Sequence, residues 1–116
     1  MSIERFRAGP RMSQAVIHGG MVFLAGQVAE DAPGADVARQ TGNILDRIDA
    51  LLAEVGTDKT KLLSATIWLS NMAGFGAMNA VWDAWVAPGC GPARATVEAR
   101  LAAPEYAVEI AVVAAQ

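Results

Sequence analysis

"GPARATVEARLAAPEYAVEIAVVAA", Gly91 to Ala115, is the stretch whose reading decides the fold. In its first half Arg94, Thr96, Glu98 and Arg100 share one face, because side chains alternate along a strand. Its second half is apolar from Tyr106 to Ala114, except at Glu109. The pattern predicts a hairpin, Arg94 to Leu101 against Tyr106 to Ala114, around Ala102 to Glu105. Two charges stand in costly places. Arg94 follows the Gly91-Pro92 turn, and Glu109 has Ile110 to Ala115 directly after it. Charged side chains are rarely fully buried without a partner. An ionised carboxylate in apolar surroundings is expensive or shifts its pKa. Each of these two groups therefore needs a structural partner or a ligand.

Upstream, Ala15 to Ile17 and Met21 to Ala25 read as strands joined through His18-Gly19-Gly20, a hairpin signal. Ile3 to Arg5 is a candidate short strand. Thr41, Ile44, Leu45, Ile48, Leu51, Leu52 and Val55 recur at helical spacing, with Asp36 as N-cap and Gly56 just past the end. Leu62 to Leu69 reads as a strand with Leu63, Ala65, Ile67 and Leu69 on one face. Ala73 to Val86 reads as a second helix with Phe75, Met78, Trp82, Trp85 and Val86 inward, ended by Pro88 to Pro92. The order (β)ββαβαββ predicts an α+β fold, a sheet packed on two helices. The sheet face away from the helices, expected to carry Val97, Ile110 and Val112, has no cover within the chain. It is expected to meet another subunit.

The 116 residues fit one domain, 53% hydrophobic and 18% charged. A net charge of −3 and the absence of a basic stripe argue against nucleic acid. Ile110 to Ala115 is far too short to span a membrane, and the N-terminus lacks the apolar centre of a signal peptide. The one cysteine forms no internal disulfide, which fits a reducing cytoplasm. His18 is the only histidine and sits at a Gly-Gly turn, so a histidine-based nucleophilic triad is set aside. No metal-ligand spacing or phosphate loop occurs, and no metal is expected. Cys90 in "PGCGP" reads as a loop thiol. Arg94 can grip a carboxylate through its planar fork, or pair with Glu98, Glu109 or a carboxylate across an interface. Glu109 is either a buried ionic partner or an acid/base group with a raised pKa. Asn79, within the apolar stripe of the second helix, reads as a helix-surface amide or a site residue.

The pattern PxR…VE…L…P…VEI in "PARATVEARLAAPEYAVEIAVVAA" resembles the C-terminal signature of the RidA family, the YjgF-like imine/enamine deaminases. "MVFLAGQVA" looks like that family's third strand, and "FGAMNAVWDAWV" like its second helix with the matching Asn79. "SATIWLSNMAGFGAMNAVWDAW" is of the type found in its YoaB-like branch. The resemblance implies a chorismate-mutase-like fold and a homotrimer with clefts between subunits. It implies cofactor-independent hydrolysis of 2-imino or 2-enamine acids, such as 2-aminoacrylate, to a 2-keto acid and ammonia. It gives Arg94 the substrate carboxylate and Glu109 the attacking water, with Gly26 lining the cleft. Asn79, Thr96 and Met12 join the implied substrate-binding set. The chain departs from the family pattern at three places. Ala25 replaces a hydroxyl residue, and Thr96 stands where many members have Cys. Where the better-characterised deaminases carry a tyrosine after a Gly-Pro, this chain has Arg11 next to Gly9-Pro10, and Met12 by register from the AGQ turn. Three functions compete: an imine deaminase, a non-catalytic small-carboxylate-binding or regulatory trimer, and a hydrolase for a larger amino-acid derivative with Met12 and Cys90 at a wider rim.

Overall fold

Asp36 starts the long helix as its residue type predicts: its side chain accepts from the Arg39 N–H at 2.8 Å. That helix, α1 (Val37–Glu54), buries Ile44, Leu45, Ile48 and Leu52. Each such side chain contributes about 1.5–3 kcal/mol of hydrophobic stabilisation. Gly56 follows with φ 82°, a conformation that costs glycine nothing. The coordinates are a computed structural model and describe residues 2–116, leaving Met1 outside the described residues.

Around α1 the chain runs β1 (Glu4–Phe6), β2 (Ala15–His18), β3 (Met21–Leu24) and β4 (Gln27–Val28) before it. After it come β5 (Leu62–Leu69), α2 (Phe75–Trp85), β6 (Ala93–Glu98) and β7 (Val108–Ala115). The strands form a single sheet in the order β1-β2-β3-β7-β5-β6, with β4 also pairing β7. The α+β expectation therefore holds, with one sheet and two helices. Gly19 and Gly20, at φ 61° and 77°, close the β2–β3 hairpin, and its register pairs Ala15 with Leu24.

The expected C-terminal hairpin does not form. β6 runs parallel to β5, with α2 as the crossover between them, and β7 runs antiparallel to β5 on its other side. A parallel pair needs such a crossover. β7 lies in the middle of the sheet, held by β3 and β4 along one edge and β5 along the other.

Two face assignments are also corrected. Ile110 and Val112 point into the helix-covered core, at 0% and 1% exposure. The outward positions of β7 are Glu109, Ala111 and Val113, one residue out of phase. In β5 a register shift between Leu62 and Ser64 leaves Leu63 exposed, so Leu62 and Ala65 both reach the core. Val97 is on the uncovered face as expected, 44% exposed, and Phe23 is 42% exposed. The second helix begins later than expected. Asn71 caps a short 3-10 turn, Met72–Gly74, by accepting from the Ala73 N–H, and Phe75 remains exposed while Met78 and Trp82 turn inward.

Candidate functional site

Strand parity places Arg94 and Glu109 on opposite faces of the sheet. Arg94 is registered with Ala65, a core residue, and so projects toward the helices. Glu109 is registered with Trp68 and Val28, between the core residues Val108 and Ile110, and so projects from the uncovered face. β5 separates their strands. Within one chain the two cannot touch one small ligand.

Arg94 rests on α2. Its guanidinium carbon is 5.3 Å from the centroid of the Trp82 ring, and Nη1 is 4.0 Å from the buried Met78 sulfur. The ring holds the fork by cation–π attraction, Nη1 donates weakly to the Met78 sulfur, and the other guanidinium N–H groups bond to no described residue. The ion pairs among the described residues are Arg7–Glu54, Arg47–Glu30 and Arg47–Asp31, and Arg94 joins none. Two oxygens on this side, Asn79 Oδ1 and Thr96 Oγ1, are out of solvent without a hydrogen-bond partner. Unsatisfied buried oxygens of this kind call for an explanation, and both occur on the elements that carry Arg94 and its support. Asn79 is thus only partly a surface amide: it is half-buried beside Met78.

Glu109 stands against Gly26. A Cβ at Gly26 would collide with Glu109 Oε2 and come within 3.1 Å of its Cδ, so the glycine makes room for the carboxyl. Among the described residues Glu109 has no hydrogen bond or ion pair from a side chain. Burial pushes its pKa above the ordinary carboxylate value. Both in-chain ionic readings, Arg94 with Glu98 or Glu109 and Glu109 with an arginine, are therefore absent from this structure. Glu98 instead accepts from the Met72 N–H at 2.9 Å.

The remaining candidates are dispersed. Met12 lies in the β1–β2 loop at 50% exposure, its carbonyl accepting from Gly9. His18 is exposed at the end of β2, its Nδ1 3.1 Å from the Ser2 carbonyl oxygen. Cys90 is a free, half-buried thiol in the loop before β6. A groove of about 650 Å³ lies along the connection from β6 to β7, and one of about 280 Å³ lies between β4 and α1. Neither is lined by Arg94 or Glu109. Among the described residues no three His, Cys, Asp or Glu side chains gather as a metal cluster, and no helix is long and apolar enough to cross a membrane. Sequence reasoning missed Trp82 as the support of Arg94 and Gln27 as a buried polar residue behind Gly26. The signal for Gln27 was a lone amide between the apolar runs of "FLAGQVA".

The sequence and the fold are matched in known proteins. Residues 2–116 match the model of the family described as Endoribonuclease L-PSP. The RutC family protein YoaB of Escherichia coli K12 is 46% identical over 115 residues, 99% of each chain. A crystal structure of a YjgF family member from Neisseria meningitidis is 49% identical, with a TM-score of 0.96 over 100% of this chain and 96% of that one. YyfA of Yersinia pestis, from the Rid protein family, is 31% identical, with a TM-score of 0.87 over 94% of this chain and 90% of that one. With its whole described length matched in sequence and in fold, the chain belongs to the RutC/YjgF family of Rid proteins.

Proposed function

We propose that the chain, acting as one domain, is a hydrolytic deaminase of 2-imino and 2-enamine acids, working at clefts between the subunits of a homotrimer. The observation that carries this reading is the pair of chemically complementary half-sites on opposite faces of one sheet. A free guanidinium backed by an indole is one half, and an unpaired carboxyl against a glycine is the other. Rotational packing of identical chains brings opposite faces together, and the uncovered Phe23 and Val97 supply apolar surface for it.

In this cleft the substrate carboxylate docks on Arg94 of one chain, where the Thr96 hydroxyl can donate to it and Asn79 Oδ1 can accept from the imine N–H. An enamine first tautomerises to the imine. Glu109 of the next chain takes a proton from water as its oxygen attacks the imine carbon. The resulting carbinolamine receives that proton on nitrogen. The hydroxyl proton then passes through Glu109 to the departing nitrogen as the C–N bond breaks and the C=O bond forms, releasing ammonia and a 2-keto acid. Holding substrate and water together supplies the rate gain, with no cofactor or covalent intermediate.

Ala25, without a hydroxyl beside Gly26, favours the second reading, a trimer that binds small carboxylates without turning them over. The matching family's name would suggest RNA as a substrate. A chain of net charge −3 gains little from a polyanion, so the carboxylate reading is preferred. The deciding assay generates imines in place with an amino-acid oxidase and traps them with semicarbazide. The protein is expected to deplete the trapped imine and to raise ammonia and keto acid in step. Binding of a 2-keto acid without faster imine loss, across several parent amino acids, would establish the non-catalytic reading instead.

A further inference from the structure

Behind the Glu109 wall a polar chain runs in from the surface to a buried centre, Gln27, only 2% exposed. Its Nε2 donates to the Ala25 carbonyl at 3.0 Å and to Gln14 Oε1 at 2.9 Å. Its Oε1 accepts from Nε and Nη2 of Arg47 on α1, both at 3.3 Å. Arg47 in turn is held by Glu30 at 3.4 Å and Asp31 at 3.8 Å. The Ala25 N–H donates to the Gln14 carbonyl at 2.9 Å. Both backbone groups of Ala25 are therefore tied, and the Ala25–Gly26 peptide plane is fixed from the side of the sheet that Glu109 does not occupy. Gln27 is registered with the core residue Ile110, and Glu109 projects from the other face. A trans peptide carries its N–H opposite its carbonyl. Holding the carbonyl toward Gln27 turns the Gly26 N–H away from it, and a flip would put a carbonyl in that place.

We propose that Gln27 and Arg47 are positioning residues for the deamination. They clamp the Ala25–Gly26 peptide from behind, so that Gly26 forms a rigid floor under the Glu109 carboxyl. Neither touches Glu109. They act through the backbone at Gly26, which lies so near the carboxyl that an added Cβ would collide with it. In this proposal the clamp holds in place the backbone that buries one side of the carboxyl, and burial is what raises its pKa. The groups facing Glu109 are Gly26, Trp68 and Val28, none of them charged. In the proposed trimer the neighbour's Arg94 faces it as well.

The test uses the assembled protein and two variants. Gln27→Met keeps the shape of the side chain and removes all of its hydrogen bonds. Arg47→Lys keeps the charge and removes the planar fork. Kinetically, Gln27→Met is expected to lower kcat by roughly tenfold to a hundredfold, the cost of a misplaced reacting group. KM should stay within about twofold, since Arg94 is untouched. Independently of turnover, the ¹³C-detected titration of the Glu109 carboxyl, assigned with Glu109→Gln, should move down toward the ordinary carboxylate range. The neighbour's Arg94 is present in both proteins, so the difference reports the floor alone. Arg47→Lys should show the same changes, smaller. The kinetic arm rests on the deaminase reading and the titration arm does not, so a wild-type protein without turnover overturns only that reading. A folded Gln27→Met protein with an unmoved Glu109 titration overturns the clamp. If Gln27→Met does not fold, an unmoved titration in Arg47→Lys overturns it equally.

Discussion

Replacing Arg94 by alanine is expected to abolish imine hydrolysis while leaving folding and assembly intact. The side chain makes no ion pair among the described residues and lies on α2 by stacking rather than by filling the core, so its loss removes little structure. What it removes is a charge-assisted anchor for the substrate carboxylate, worth about 1.5–3 kcal/mol per hydrogen bond. Arg94→Lys should be nearly as damaging, because a point charge reproduces neither the bidentate fork nor the stacked plane over Trp82. The measurement is kcat/KM with the oxidase-coupled assay, beside thermal melting. Wild-type turnover in Arg94→Ala would move the anchor elsewhere, with Arg11 the next candidate.

Glu109→Gln is expected to lower kcat by roughly 10²–10⁴-fold, the range for losing a positioned acid/base group. Stability should hardly fall. Burial raises the carboxyl's pKa, so the native state binds this proton more tightly than the unfolded chain does. The stabilisation that results is present below the unfolded-state pKa and is lost as pH rises through the higher folded-state value. At neutral pH the wild-type protein therefore bears the cost of a charged, desolvated carboxylate, and glutamine does not. In activity the sign is the reverse: the base must be unprotonated, so turnover rises with pH along an acid limb above the usual carboxylate range. Glu109→Gln should remove that limb. If a neighbour's Arg94 faces Glu109 as proposed, it opposes the burial effect, and Arg94→Ala should move the Glu109 titration further up. A strongly lowered melting temperature in Glu109→Gln with retained activity would identify a structural ion pair instead.

Much of this was legible in the chain, for reasons that differ by residue. Asp36 and Gly56 bracket α1 because capping chemistry is local, and Gly19-Gly20 marks the β2–β3 turn for the same reason. Strand order is not local. Alternation shows that residues 94–101 and 106–114 are extended, and it does not say which strand lies between them. The hint was in Ile110 to Ala115, apolar on both faces, as suits a strand in the middle of a sheet. Parity also bore on the face of Ile110 and Val112: once Glu109 points outward, its neighbours at odd spacing must point in. The bulge at Leu63 has no such signal, since the residue is as apolar as those around it. Arg94 and Glu109 were recognisable because each is a charge in apolar company. Their placement on opposite faces emerges only when the β5–β6 and β5–β7 registers are combined. The roles of Gln27 and Trp82 are contacts with other elements, and sequence spacing alone records no such contact.

Subunit complementation tests the shared cleft most directly. Arg94→Ala and Glu109→Gln chains, each inactive alone, are mixed, exchanged by mild unfolding and refolding, and checked by light scattering for particles of about three times the 12.1 kDa chain mass. If each site takes Arg94 from one chain and Glu109 from the next, every mixed ring holds one intact site. Random assembly of equal amounts then restores about one quarter of wild-type activity. Mixed trimers, confirmed by differential tagging, that remain inactive would contradict the shared cleft, as would a stable, active monomer.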